Sequence, residues 1–279
     1  MKDISMKINV TCGLHGTRRT ACPSLQNVVP STVFDIDATR IASYGGGGGK
    51  WSNLVAAPAD GAAQGAYDFY LGVDGAASTD DPAFNGTPGA PSAYWSFDGG
   101  DLFSLKSGVN TSFLNALHKT TGGTPWWLAV AYRPIDAASS DALFATQGTS
   151  SSSIGINLLQ GSTERIALIQ RGDTNLVATS STAFPAIVPG TDTLVIFSYS
   201  AGACRCWINT RTKIETTITP NASASNAANP AQIGARGAGL YLENGTRIYA
   251  VSMGNAFIDD AQAVKLINAY NLRHARIYA

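Results

Sequence analysis

Residues 126–133 read WWLAVAYR. Trp126, Leu128, Val130 and Tyr132 fall on one face of an extended chain, and Trp127, Ala129 and Ala131 on the other. This is the clearest strand in the protein, and its surroundings repeat the signal. Upstream, β signals begin at Val33. Downstream come ALFAT (142–146), SIGINLL (153–159) and ERIALIQRGDTNLVATS (164–180), the last reading as two strands around a polar turn at Gly172–Asn175. TLVIFSYSAGACRCWINTRTKIETTIT (193–219) reads as three strands with turns at Ala201–Ala203 and Asn209–Arg211, and TRIYAVSMGNAF (246–257) as another. Turn signals about ten residues apart predict an all-β, two-layer antiparallel sandwich.

One segment departs from this period. IDDAQAVKLINAYNLRHAR (258–276) places Ala263, Leu266, Ile267 and Tyr270 at helical spacing. Asp259 suits the N-cap, and Arg273, His274 and Arg276 suit the negative end of the helix dipole. The sequence therefore predicts one helix over about 259–276. At the other end, residues 1–32 hold no sustained pattern of either period and read as an arm that docks on a neighbour, with the sandwich spanning 33–279.

The totals narrow the function classes. Hydrophobic residues make up 44% of the 279, enough for a sizeable core. Charged residues are only 14%, so Ser, Thr, Asn, Gln and Gly must build the polar surface. Net charge is zero and no basic stripe appears, which argues against nucleic acid as a partner. No apolar run is long enough to cross a bilayer, and MKDISMKINVTCGLHG has no apolar core of a secretory signal. The expectation is a protein made in a host cytoplasm. Cys204 and Cys206 sit two apart on one strand and point the same way, so they do not bridge each other; Cys12 and Cys22 are read as reduced thiols, with a bridge between them left open.

FDIDATRIASYGGGGGKWSNLVA (34–56), YDFYLG (67–72), DPAFNGTPGAPSAYWSFDGGDLFSL (81–105), WWLAVAYRP (126–134) and RIYAVSMGNAFIDDAQAVKLINAY (247–270) follow one another in an order that resembles the concanavalin A-like, laminin G-like jelly-roll domains encoded by tailed bacteriophages. The resemblance implies a concanavalin A-like jelly roll. It makes Asp35 and Asp37 part of an early strand, Gly45–Gly49 a variable hairpin loop, Trp51–Asn53 the W-x-N strand, and Phe97, Asp98, Gly99 and Asp101 the F-D-G-x-D step. The five glycines are not a phosphate loop: Tyr44 stands where the first P-loop glycine belongs and Trp51 where the hydroxyl belongs. Where the family often has Asn-Gly, Asn209-Thr210-Arg211 predicts a longer or differently shaped turn.

Candidate chemistry is sparse. Laminarinase-type members of this fold carry E-x-D-x-x-E, but the only glutamates are Glu164, Glu215 and Glu243, and none has an acidic neighbour at that spacing. His15, His118 and His274 are scattered and read as surface or packing residues, so no triad is expected and the chain is read as not an enzyme. Asp74, Asp80, Asp81 and Asn85, or Asp98 and Asp101, are candidate oxygen ligands for Ca²⁺; capping of their own turns is the competing reading, and no cofactor is expected. Trp207 shares a strand face with Arg205 and Asn209, a possible sugar-binding surface or a core face. Arg171-Gly172-Asp173 spells an adhesion tripeptide but occupies a turn. Two functions follow as expectations. One is a phage virion structural protein, a capsid decoration or tail module joined to other virion proteins through residues 1–32 and forming a homo-oligomer. The alternative is a lectin-like module that binds a glycan or receptor on the host surface.

Overall fold

The structure is a computed structural model describing residues 24–279, apart from 74, 106–108, 136–139, 174–175 and 179–182. Cys12, Cys22, His15, Asp74 and all but the last residues of the N-terminal arm therefore lie outside the described residues. In chain order the elements are α1 (Leu25–Val28), β1 (Thr32–Asp37), β2 (Lys50–Trp51), β3 (Phe69–Leu71), β4 (Ala83–Asn85), β5 (Tyr94–Ser96), β6 (Phe103–Leu105) and α2 (Ser112–Ala116). Then come β7 (Trp126–Arg133), β8 (Asp141–Ala145), β9 (Gly155–Gln160), β10 (Ile166–Arg171), β11 (Leu176–Ala178), β12 (Thr193–Ser200) and β13 (Ala203–Ile208). β14 (Ile214–Thr217), β15 (Gln232–Ile233), β16 (Arg247–Gly254) and α3 (Asp260–His274) complete the chain.

The strands form two antiparallel sheets packed as a jelly-roll sandwich. The first runs β14-β13-β12-β7-β16-β5-β4, with β1 also paired to β16; the second runs β11-β10-β9-β8-β15-β6-β3-β2. WWLAVAYR is the centre of the first sheet, held between β12 and β16. Its two faces do different work. Trp126, Leu128, Val130 and Tyr132 enter the core between the sheets, with Phe34, Phe144, Leu158 and Phe197. Trp127, Ala129 and Ala131 face outward and are buried in a second apolar layer. A strand buried on both faces needs apolar residues at every position, and this one has them from Trp126 to Tyr132.

The second layer is made by α3. Ala263, Leu266, Ile267 and Tyr270 pack on Leu194, Ile196, Trp207 and Tyr249, and Leu25 and Val29 join them from the N-terminal side. The helix starts on a complete capping box: Asp259 Oδ1 accepts from Gln262 N at 2.9 Å, and Gln262 Oε1 accepts from Asp259 N at 3.2 Å. It ends with Ala275 in the left-handed region, φ 49°.

The basic residues at its end do more than complement a dipole. Arg273 and His274 are buried against the two carboxylates of β1. Arg273 Nη1 lies 2.9 Å from Asp35 Oδ2 and 3.5 Å from Asp37 Oδ2, while His274 Nε2 lies 3.4 Å from Asp37 Oδ2. Burial alone would raise Asp37, but the charge and hydrogen bond of His274, with Arg273 and Thr39, hold it far below the ordinary carboxylate range. Asp35 moves the other way, because burial outweighs the pull of Arg273. Arg276 instead reaches the surface pair with Asp192, 2.7 Å away.

Candidate functional site

The face proposed around Trp207 is closed. Trp207 is 1% exposed beneath α3, and its Nε1 donates to Asp260 Oδ1 at 2.8 Å. Arg205 donates to Glu215 and to the Ile258 carbonyl, and its guanidinium lies 3.9 Å over the Phe257 ring. Asn209 has φ 48° and serves the turn: its Oδ1 accepts from Leu194 N at 2.8 Å and its Nδ2 donates to the Asp192 carbonyl at 3.2 Å. The helix covers the Trp207 face of β13, and Arg205 and Asn209 spend their polar groups within the protein. Among the described residues all five tryptophans are buried.

The calcium candidates are occupied with their own turns. Asp81 Oδ2 accepts from Ser78 N at 3.0 Å, and Asp80 accepts from the Ser78 hydroxyl. Asp98 Oδ1 accepts from Gly100 N at 3.0 Å, and Asp101 Oδ2 from Asp98 N at 2.8 Å. Asn85 Nδ2 donates to the Ala83 carbonyl and to Ser96. No group of three or more His, Cys, Asp or Glu among the described residues is arranged to hold a metal ion. The acids are nonetheless close enough to feel one another. Asp101 is pushed up to about 7, first by burial and then by the nearby carboxylates of Asp98 and Asp81.

Other sequence features are structural. His118 is buried with Nε2 3.0 Å from the Ser225 carbonyl. Cys204 and Cys206 are buried free thiols, both raised by burial. Asp173 of the Arg-Gly-Asp turn accepts from Ala224 N at 3.1 Å, tying that turn to the 221–225 loop. Asn53 joins its neighbours by accepting from Asp35 N and Val55 N, both at 3.0 Å. In the five-glycine loop, Gly49 is needed for close approach: a Cβ there would collide with the backbone of Gly75.

The outer face of the second sheet is open in part, with Ser104, Gln232, Ala145 and Asn157 buried. Register places Lys50, Tyr70, Ser104, Gln232, Ala145, Asn157 and Ile169 in one row across seven strands. They face away from the core, because their strand neighbours Trp51, Phe69, Phe103, Ile233, Phe144, Ile156 and Leu168 fill it. A groove of about 400 Å³ sits over Ser104 and Gln232, within the size range of small-molecule sites, roughly 300–1,000 Å³. Its lining is completed by Val73, Asp80, Leu102, Leu105, Thr149, Asn229, Pro230, Gly237, Ala238 and Tyr241. The walls are anchored. Ser104 Oγ donates to the Gly72 and Val73 carbonyls at 2.8 and 2.9 Å. Gln232 Oε1 accepts from Gly237 N at 2.6 Å, and Thr149 Oγ1 accepts from Ala238 N at 3.1 Å.

These bonds consume one half of each polar group and leave the other. With its oxygen engaged by Gly237, Gln232 keeps its NH₂ as a donor. Ser104 donates its proton and keeps its lone pairs. The Asp80 carboxylate has accepting capacity beyond its bond from Ser78, and half-buried Tyr241 brings a ring and a hydroxyl. Of these, sequence reasoning singled out only Asp80, and as a metal ligand. Gln232 and Ile233 form a two-residue strand, too short to carry a period, and Ser104 enters the sequence reading only as one residue of the DLFSL segment.

No family model matches the sequence, and no curated protein matches it. Solved structures do share the fold. The binding domain of Botulinum neurotoxin DC in complex with SialylT superposes with a TM-score of 0.56 at 8% identity, over 88% of this chain and 52% of that one. Trypanosoma rangeli sialidase in complex with the inhibitor DANA gives 0.52 at 9% identity, over 88% of this chain and 33% of that one. The same sialidase in complex with sialic acid gives 0.50 at 10% identity, over the same shares. The chain thus spans a third of the sialidase and about half of the toxin domain. These likenesses establish the sandwich and carry nothing about a phage or a virion. They also correct one expectation. A sialidase chain contains this fold, so the missing E-x-D-x-x-E pattern gives no ground for reading the chain as not an enzyme.

Proposed function

We propose that this chain is a carbohydrate-binding, lectin-like β-sandwich module whose ligand lies in the groove on the outer face of the second sheet. The observation that carries the reading is the groove's chemistry. A donor from Gln232, acceptors from Asp80 and Ser104, and the Tyr241 ring converge on one concave surface. Sugars need this combination: hydroxyls that both donate and accept, and an apolar ring face to stack on an aromatic one. On the first sheet, α1 and α3 cover the outer face of β7, β12, β13 and β16. Neighbouring folds in complex with SialylT and sialic acid are consistent with a sugar ligand on a sandwich of this kind.

A glycan array followed by calorimetric titration tests the proposal. At least one glycan should bind, and Tyr241→Ala should weaken it about tenfold or more, the effect of losing roughly 1.4 kcal/mol of contact. Because Tyr241 is only half-buried, that variant should melt within a few degrees of the parent. Undiminished binding by the variant would place the ligand elsewhere, and an array without hits would remove the proposal.

A further inference from the structure

Resting on that reading, we infer that Gly72 is a positioning residue for the groove: its missing side chain seats the Asp80 carboxylate, and its carbonyl engages the Ser104 proton so that the hydroxyl meets a ligand as an acceptor. Gly72 itself is absent from the lining. It follows β3 directly, is buried, and has φ 58°, in the left-handed region. A Cβ built on it would stand 2.7 Å from Asp80 Oδ1, 2.9 Å from Cγ and 3.0 Å from Oδ2. All three of these nearest atoms belong to one carboxyl group, so a side chain at position 72 competes with the Asp80 carboxylate for the same space.

The backbone fixes both acceptors to this residue. Gly72 N donates to the Leu102 carbonyl at 2.9 Å, and Leu102 N donates to the Asp80 carbonyl at 3.0 Å. The Ser78 hydroxyl then holds Asp80 Oδ1. From β6, Ser104 Oγ donates to the carbonyls of Gly72 and Val73 at 2.8 and 2.9 Å. A hydroxyl has one proton, so Ser104 turns only lone pairs to a ligand. The left-handed backbone does not by itself explain the arrangement. Gly61 has φ 82° and no heavy atom within 4 Å of its Cβ position, so nothing there depends on the missing side chain. At Gly72 a lining carboxylate does. Hydrogen bonds weaken steeply as distance and angle leave their range, so moving that carboxylate off its seat costs the ligand a charge-assisted acceptor.

The test is Gly72→Ala, with Gly61→Ala as the control that strains a left-handed position without displacing anything. Crystal structures of both variants and calorimetric titration with the parent's best array hit read the two halves of the inference. Gly72→Ala should push the Asp80 carboxylate off its seat and weaken binding about tenfold or more, the scale of losing a hydrogen bond to a charged group. Gly61→Ala should leave the carboxylate and the affinity unchanged. If Gly72→Ala does not fold, Gly72→Asn takes its place, because asparagine visits the left-handed region and still carries the Cβ. An unmoved carboxylate, or a moved one with undiminished affinity, overturns the inference and leaves the carbohydrate-binding reading standing. An equal loss of affinity in Gly61→Ala also overturns it, since backbone strain rather than the seat would then be acting. A parent that binds no glycan removes the carbohydrate-binding reading itself, an outcome distinct from the others.

Discussion

At the scale of single residues, Asp101 shows how position changes chemistry. Its place in F-D-G-x-D marks a turn, and the turn is there: Asp101 Oδ2 caps Asp98 N. Burial and two neighbouring carboxylates push it up to about 7. The sign of the consequence follows from linkage. Between about pH 4 and pH 7 the unfolded chain loses this proton while the folded chain keeps it, so stability is full below about pH 4 and falls as pH rises through about 7. Urea unfolding midpoints measured from pH 4 to pH 8 should decline across that window, and Asp101→Asn should flatten the decline. Parallel profiles for the two proteins would contradict the assignment. The spacing of Asp98 and Asp101 was legible in the sequence, but the depth of burial that perturbs one of them depends on strands far away in the chain. Trp207 teaches the same lesson. Its alternation with Cys206 and Ile208 gave the right face but could not say that a helix more than 50 residues later would cover it.

At the scale of elements, α3 is the piece most completely written in the chain. Its period, its Asp259 cap and its basic end are all present in residues 258–276, and the structure places the helix at Asp260–His274. Its partner was not legible, because periodicity says that a face is apolar and not what it meets. The partner is a sheet whose central strand is apolar on both sides, locked further by Arg273 between Asp35 and Asp37. Arg273→Leu should leave two carboxylates buried without their cation and destabilise the protein by about 3–5 kcal/mol, the usual cost of breaking a buried pair. Replacing Arg273 and Asp35 together by apolar residues should recover part of that loss. Chemical denaturation of the single and double variants measures both; a single variant within about 1 kcal/mol of the parent would show that the network carries little. The shortest elements escaped sequence reasoning for a different reason. β2 and β15 have two residues each, and their places are fixed by the longer strands they extend.

At the scale of the whole molecule, the two sheets differ in what covers their outer faces. The first is covered on its outer face by α1 and α3 over β7, β12, β13 and β16; the second carries polar residues outward, with a groove over Ser104 and Gln232. The central claim is that the second sheet's outer face holds the sugar. The most direct measurement is a titration of the isotope-labelled protein with its best array hit, followed by backbone and side-chain amide shifts. The account predicts saturable shifts concentrated at Gln232, Gly237, Tyr241, Ser104 and the residues about Asp80, with α3 and β13 unmoved. Shifts centred on α3, β13 or the Arg205–Asn209 face, or no saturable shifts for any glycan, would contradict it.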